Sequence, residues 1–317
     1  MKCRAGDSTI PEGDPSLLTE GVFQSDCPGG MHSIPAGHRW LIGFISRDFG
    51  EPMPRFLFLS VLNLTLLFSV CFAVPVQAED GFATMQTVSA AMYSAGEEMQ
   101  VKMELSGPGA PSGSRVFRIY TAAPPKKPKK TLVRFESPAS IAGTALLTVQ
   151  RASGAQDNWL YVPALDQVRR IAPTDRSDSF VQSDFAIEDM TVSVDNEARK
   201  YTVLGTAPCG SDECIKIEDR PRSDAAAKAS GYGRVVLYAD STRHVVHRVD
   251  FFDKSDGLLK VLKAEELVEA APGEWRFNRA TVTNVQKGTK TVMTVVSRVH
   301  GKAIDSSIFS PSNLDAW

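Results

Sequence analysis

Five acidic residues follow a pair of adjacent arginines in the middle of the chain, and they are the first candidates for chemistry. They are Asp175, Asp178, Asp184, Glu188 and Asp189. Closely spaced carboxylates serve acid–base catalysis or bind calcium, but this spacing is not that of a calcium loop. We therefore expect the acids to cap a short helical turn that begins at Ser183 or Asp184 and runs through Asp189. We also expect them to form ion pairs with Arg169, Arg170 and Arg176.

Three histidines follow residue 80, and two of them form the motif His244-Val-Val-His247. The motif lies in a strand-like run, where these two side chains point to opposite faces, so a shared metal ion is disfavoured. His300 is the third. The sequence contains no nucleophile elbow, phosphate loop or dinucleotide fingerprint. It thus predicts a protein that is not an enzyme and that uses no metal and no cofactor.

Cys209 and Cys214 flank the turn Gly210-Ser-Asp-Glu213 between two predicted strands. A disulfide across this hairpin is the favoured prediction, and it is typical of an exported protein. A redox or metal pair stays open as the alternative. Two thiols cannot complete a zinc site, and the spacing is not Cys-x-x-Cys.

The elements that must position these residues are mostly strands. Residues 82–95 predict one amphipathic helix, with Met85, Val88 and Met92 at helical spacing. Alternation of apolar and charged residues then predicts about ten strands, the first with Val101 and Met103 on one face. So many strands with few helices favour a large, strongly curved antiparallel sheet whose concave face the helices cover.

The segment 157–189 carries most of the functional prediction. A strand containing Trp159 and Tyr161 turns at Pro163 into a second strand, Gln167–Ile171, and then enters the acidic loop. We predict that the wall and rim of a ligand cavity include Trp159, Tyr161, Leu165, Phe180 and Phe185. The alternative is that these side chains belong to the core.

Motifs in this segment resemble the bacterial outer-membrane lipoprotein-sorting proteins, the LolA/LolB-like periplasmic carriers. They are Trp159-Leu-Tyr-x-Pro-Ala-Leu, Val168-Arg-Arg-Ile and Asp175-Arg-x-x-Ser-Phe-x-x-Ser-Asp-Phe. Leu132-Val-Arg-Phe-Glu-Ser-Pro-Ala, Ser230-Gly-Tyr-Gly-Arg-Val-Val-Leu-Tyr and Arg248-Val-Asp-Phe-Phe-Asp-Lys are similar to further family segments. The resemblance implies a mainly β fold, an incompletely closed β-barrel with a helical lid and an apolar cavity.

The resemblance also implies a function. The favoured hypothesis is a periplasmic carrier that binds acyl chains of lipoproteins or other lipids and sorts them towards the outer membrane, with residues 163–190 as part of a gate. An inner-membrane transporter and an outer-membrane acceptor are its expected partners, with transient contact to the membrane surface. The alternatives are a lipid-sensing or accessory subunit of an envelope transporter and, last, a hydrolase using the acidic loop.

The beginning of the chain has a different character. Residues 1–52 show no periodicity and are predicted to be a non-native, disordered extension. Residues 53–78 have a basic start, an apolar run and a small-residue cleavage pattern ending at Ala78, which predicts a signal peptide. An uncleaved anchor and a lipidated Cys71 are the alternatives. The remainder, 79–317, is then a single exported, periplasmic domain.

Charge excludes one class of partner and suggests another. The chain has a net charge of −2, which argues against binding nucleic acid through phosphate neutralisation. A proline-broken basic finger contains Lys126, Lys127, Lys129 and Lys130. It is either a solvated loop tip or a contact to anionic lipid headgroups or a partner protein.

Overall fold

The computed structural model describes residues 80–111, 113–122, 128–191, 194–195, 197–210 and 212–316. The predicted upstream extension and signal peptide lie outside these ranges, so they and the domain boundary at residue 79 stay predictions. In the described ranges no helix has both the length and the apolar character needed to cross a membrane.

Helix α1 (Gly81–Met92) opens the described chain and ends three residues before the predicted limit. The Asp80 side chain accepts a hydrogen bond from the Phe82 amide and so caps the first turn. Gly96 follows the helix at a point where the chain passes the Lys302 carbonyl oxygen, only 2.1 Å from where a Cβ would stand, so no larger residue fits there.

Thirteen strands in the described ranges form one sheet in which every paired neighbour runs antiparallel. The strands are β1 (Glu97–Ser106), β2 (Ser114–Ala122), β3 (Lys129–Ser137), β4 (Ala145–Gln150), β5 (Gln156–Val162), β6 (Gln167–Ile171), β7 (Arg199–Cys209), β8 (Asp212–Pro221), β9 (Arg234–Asp240), β10 (Val245–Phe252), β11 (Leu258–Ala271), β12 (Glu274–Asn284) and β13 (Thr289–His300). A second helix, α2 (Asp224–Lys228), links β8 to β9.

The sheet is curved but not closed. Its order is β6-β5-β4-β3-β2-β1-β13-β12-β11-β10-β9-β8-β7, so the first strand pairs with the last, and β6 and β7 are the two free edges. The predicted mainly β fold, with one large antiparallel sheet that is incompletely closed, is confirmed.

Strand β2 is the element that the sequence analysis missed. Its apolar residues Val116, Phe117, Ile119 and Tyr120 do not alternate simply with polar ones, because both faces of the strand are covered. Phe117 and Ile119 pack in one core cluster and Tyr120 in another on the opposite face. A strand that is buried on both faces lacks the apolar–polar period of two.

Alternation along β2–β5 gives the sheet two buried faces. On the inner face, Phe117, Phe135 and Leu146 pack with Phe180 and Phe185 from the segment that follows β6. On the outer face, the C-terminal tail covers the intervening side chains. These are Tyr120, Leu132 and Leu147, against which Phe309 and Leu314 pack. Both faces of β3 are therefore apolar.

Candidate functional site: a cavity on the inner face

A cavity of about 610 Å³ lies on the inner face between α1, strands β9–β12 and the 3-10 turn Ile187–Met190. This volume is in the range of small-molecule sites, about 300–1,000 Å³. Its apolar lining includes Met85, Val88, Met92, Met99, Ile119, Met190, Val235, Leu237, Val245, Val246, Val249, Phe251, Leu262, Ala264, Phe277 and Ala280. Unbranched methionine side chains adapt readily to ligands of different shape.

Helix α1 forms one side of the cavity. Its buried face, Met85 and Val88, packs against Tyr201 and Ile217 of β7 and β8, which anchors the helix. The helix has twelve residues and stops at Met92, whose side chain is 42% exposed. A helix this short covers only part of the curved sheet, and space remains between it and β9–β12.

The segment after β6 fills the rest of the inner face. The Phe180 ring packs against Phe135, with centroids 5.4 Å apart, and meets Phe117 edge-on at 6.3 Å. The backbone of Phe180 also donates to the Phe185 carbonyl, which closes a compact loop. The inner face thus has a filled half beside β2–β4 and an open half under α1.

Two acids fix this segment to the sheet. Asp189 accepts hydrogen bonds from Lys260 Nζ at 2.6 Å and from the Tyr232 hydroxyl at 2.8 Å. Asp184 accepts from the hydroxyls of Thr289 at 2.5 Å and Thr291 at 2.7 Å. Lys260 lies on β11, Thr289 and Thr291 on β13, and Tyr232 just before β9. All four partners are therefore beyond the reach of local sequence patterns.

The observed pairing corrects the predicted ion pairs. In the described ranges neither Asp184 nor Asp189 pairs with an arginine. The buried Lys260 of β11 forms the ion pair with Asp189 instead. Arg170 pairs with Asp157 across the β5–β6 hairpin. Arg169 is exposed on the edge strand β6.

The third predicted arginine lies elsewhere. Arg176 Nε donates to the Pro173 carbonyl at 3.4 Å, and the side chain lines the cavity. The short 3-10 turn begins at Ile187, later than expected, and the Asp189 carboxylate accepts from the Ala186 amide at its start.

The five aromatic and aliphatic residues predicted for the cavity lie outside its lining. Trp159 and Tyr161 pack on the outer face with the C-terminal tail, and Leu165 is 62% exposed at the hairpin turn. Phe180 and Phe185 are buried in the core of the filled half. A part for any of them in ligand contact stays a prediction.

The described part of the basic finger belongs to β3 rather than to a loop tip. Lys129 donates to the backbone carbonyl and the hydroxyl of Ser89 on α1, and burial lowers the pKa of its ammonium group. Lys130 lies over the Phe309 ring, 5.9 Å from its centroid. Lys126 and Lys127 lie outside the described residues.

Cys209 and Cys214 form the predicted disulfide across the β7–β8 hairpin. The His247 ring lies beside the two sulfur atoms, in the one group of potential metal ligands within the described ranges. Thiolates, not disulfide sulfurs, bind metals, so this group is not a metal site in the oxidised protein. His244 lines the cavity, whereas His247 does not.

Two groups of charged residues in the cavity lining are notable for their burial. One group is Glu97, Arg276 and Arg298, on the adjacent strands β1, β12 and β13. The other lies near the 3-10 turn, where burial raises the pKa of the Glu188 carboxyl above its usual value. Sequence reasoning missed the group on β1, β12 and β13 because these strands are distant along the chain, whereas Glu188 was already one of the candidate acids.

The comparisons with known proteins agree with this architecture. A protein-family model described only as "Uncharacterized protein" matches residues 127–316, more than half of the chain. A search of curated proteins finds no match.

Among solved structures, one from Vibrio parahaemolyticus is described as an outer membrane lipoprotein-sorting protein domain. It is 26% identical, with a TM-score of 0.67, and the match covers 74% of this chain and 98% of that chain. A DUF1329 family protein from Desulfovibrio piger is 25% identical, with a TM-score of 0.66, covering 74% and 97%.

A LolA superfamily protein from Nitrosomonas europaea has the same fold at 16% identity, with a TM-score of 0.56 and coverage of 74% and 98%. The chain belongs to the family of the matching model, a group with the LolA-like fold of outer-membrane lipoprotein-sorting proteins.

Proposed function

We propose that this protein is a periplasmic carrier that shelters the acyl chains of lipoproteins or other lipids in the cavity under α1 and carries them towards the outer membrane. An acyl chain in water costs about 0.8 kcal/mol for each exposed CH₂ group. A carrier must therefore offer an apolar interior that the chain can enter and leave. Binding without chemical turnover is sufficient for this role.

The observation that carries the proposal is the apolar wall of the open half. Leu262, Ala264, Phe277 and Ala280 on β11 and β12 face Met85 and neighbouring residues of α1 across unfilled space. A protein of this size normally fills such space with side chains. A wall of this kind is suited to an apolar guest.

Two further observations support an exported carrier. The disulfide at Cys209 and Cys214 is of a kind that persists in oxidising compartments. The 26% identical Vibrio protein is described as a lipoprotein-sorting domain. Export through residues 53–78, membrane contact through Lys126 and Lys127, and transfer between an inner-membrane transporter and an outer-membrane acceptor are parts of the same proposal.

Filling the cavity tests the proposal. Ala264 and Ala280 are paired across β11 and β12 and both line the cavity, so phenylalanine at either position occupies the space of the guest. We expect Ala264→Phe or Ala280→Phe to weaken binding of a fluorescent fatty-acyl probe at least about tenfold, the effect of about 1.4 kcal/mol.

Ala271→Phe is the matched control. Ala271 is on the same strand, β11, but is not part of the cavity lining, so this variant should bind the probe like the wild type. Thermal unfolding confirms that each variant is folded. Equal binding by all variants, or no binding of the probe by the wild type, contradicts the proposal.

A further inference from the structure

One end of the cavity carries two arginines with little access to water. Arg276 of β12 and Arg298 of β13 line the cavity together with Glu97 of β1. Their side chains are 8% and 12% exposed, and that of Glu97 is 5% exposed. We call Arg276 and Arg298 the arginine pair. Buried charges of this kind require partners, so their hydrogen bonds can be counted one by one.

The Arg276 guanidinium has no carboxylate within hydrogen-bond distance. It donates to the Trp275 carbonyl at 2.9 Å and to the Ser94 hydroxyl at 3.1 Å. The carboxylate oxygens of Glu97 and Glu274 each lie 3.7 Å from its nitrogens, and its buried Nε has no hydrogen-bond partner. Burial lowers the pKa of this guanidinium, and the charges of Glu97 and Glu274 act in the opposite direction.

Glu97 is shared among three basic side chains, and Glu274 is the second acid of this cluster. Oε1 of Glu97 accepts from Arg298 Nη1 at 2.7 Å and lies 3.2 Å from His300 Nδ1, besides the longer contact with Arg276. Arg298 Nη2 donates to the Phe277 carbonyl at 2.8 Å and to Asn278 Oδ1 at 3.2 Å, and its buried Nε has no hydrogen-bond partner. His300 contacts Glu274 on its other side at 2.9 Å. Of the two acids only Glu97 lines the cavity, so at the cavity wall two guanidinium groups face one carboxylate.

The acids elsewhere in the lining are compensated. Asp189 is paired with Lys260, and Asp219 is paired with Arg199 at 2.7 Å. Burial raises the pKa of the Glu188 carboxyl and so favours its neutral form. The remaining charged or titratable side chains of the lining are Arg176, Asp195, His244 and the tyrosines Tyr93, Tyr201 and Tyr232. Arg176 is only half-buried, so the deeply buried positive charge of the lining is concentrated at the arginine pair.

We propose that the cavity selects amphiphiles with an anionic headgroup, with the oxyanion bound by Arg276 and Arg298 and the acyl chain lying along β9–β12. This inference rests on the proposed carrier function and narrows its cargo to acidic lipids. Guanidinium groups bind carboxylate and phosphate oxygens through paired N–H donors, which suits either headgroup. A ligand oxyanion would give Arg276 a directly hydrogen-bonded counter-charge, which Glu97 and Glu274, both 3.7 Å away, do not provide.

A series of amphiphiles with one chain length and different headgroups tests the inference. Dissociation constants for the wild-type protein are measured by displacement of the fluorescent acyl probe with hexadecanoate, hexadecyl phosphate, hexadecanol and hexadecyltrimethylammonium. We expect at least one of the two anions to bind about tenfold or more tightly than the alcohol, and the cation to bind weakest. The two anions separate a fatty-acid headgroup from a phosphate headgroup, and preference for either supports the inference.

Variants then connect the preference to the arginine pair. Arg276→Gln and Arg298→Gln should reduce the ratio of anion to alcohol affinity about tenfold. Arg118→Gln is the control, because Arg118 is more exposed, forms ion pairs with Glu98 and Glu136 and is not part of the cavity lining. This variant should keep the wild-type ratio.

The outcomes separate the two proposals. Equal affinity of the wild type for anion and alcohol, or an unchanged ratio in both arginine variants, overturns the inference and leaves the carrier standing. Failure of the wild type to bind any of the four amphiphiles overturns the carrier itself. The wild-type series decides the inference alone if a variant does not fold.

Discussion

Lys260 and Asp189 form an ion pair that is almost closed to water, with Nζ and Oδ2 2.6 Å apart and side chains 4% and 3% exposed. The pair joins β11 to the 3-10 turn Ile187–Met190, at the border between the filled and open halves of the inner face. Lys260 also donates to the Asp184 carbonyl at 2.7 Å and lies over the Phe251 ring. One lysine therefore holds the segment 184–189 at two points, before the turn and within it.

Removing the lysine should be strongly destabilising. Lys260→Met leaves the Asp189 charge buried and unpaired, which costs about 3–5 kcal/mol of unfolding free energy. The double variant with Asp189→Asn should recover part of this loss, because the amide keeps an acceptor oxygen without the charge. Denaturant unfolding measures both.

An exposed ion pair provides the comparison. Lys102 and Glu104 lie 2.8 Å apart with side chains 43% and 54% exposed, and Lys102→Met should change stability by less than about 1 kcal/mol. Similar losses for Lys260→Met and Lys102→Met would contradict the structural role of the buried pair.

The C-terminal tail should contribute to stability through the outer face. Phe309 is 3% exposed and packs with Leu132 and Leu147, so Phe309→Ala should lower the free energy of unfolding by about 3–5 kcal/mol. Val299→Ala, at a side chain 51% exposed, should change it by about 0.5 kcal/mol or less. Equal effects would show that the tail does not pack on the sheet in solution.

Glu188 should make stability fall as pH rises. Its folded pKa is raised by burial above the unfolded value of about 4.3. Between these two values the folded state holds a proton that the unfolded state has released, so unfolding free energy decreases with pH. In Glu188→Gln this decrease is absent. The stability of the variant relative to the wild type should therefore increase from about pH 4 and level off above the folded pKa.

Asp253 supplies a control of opposite sign. Its pKa is lowered, first by the hydrogen bond from Gln286 and then by the Gly257 amide. The stabilisation is present above the unfolded pKa and is lost as pH falls, so Asp253→Asn should lose stability relative to the wild type as pH rises. Urea unfolding across the pH series measures both variants, and curves of the same sign would refute the assignment.

The disulfide should add a modest amount of stability. Cys209 and Cys214 are five positions apart, and closing so short a loop is worth about 2 kcal/mol. A dithiol reductant should lower the free energy of unfolding by this amount in the wild type. It should have no effect on a variant with both cysteines replaced by serine, and a loss in that variant would mean that the reductant acts elsewhere.

Local patterns predicted much of this fold and little of the site. The strand Gln167–Ile171 has the predicted bounds. Val101 and Met103 share one face of β1, as their alternation predicted, and the structure shows that both are buried in the inner-face core. The turn residues and the two cysteines that flank them were enough to predict the β7–β8 hairpin. Each of these features depends on residues within a few positions of one another.

The cavity depends on contacts between residues that are distant along the chain, and local sequence patterns do not predict such contacts. Asp189 and Lys260 are 71 positions apart, so the local arginines were the only visible partners. Trp159 was expected at the cavity because it is a large aromatic residue in a strand. Which face of that strand becomes the inner one depends on the curvature and closure of the whole sheet, and Trp159 lies on the other face.

Mass spectrometry of lipid extracted from the protein after expression into the periplasm tests the carrier proposal most directly. We predict acyl lipid in near-stoichiometric amount with the wild type and with Ala271→Phe, and its loss from Ala264→Phe. Wild-type protein that is folded, disulfide-bonded and free of lipid, and that stays free of lipid when mixed with acyl amphiphiles, would contradict the account.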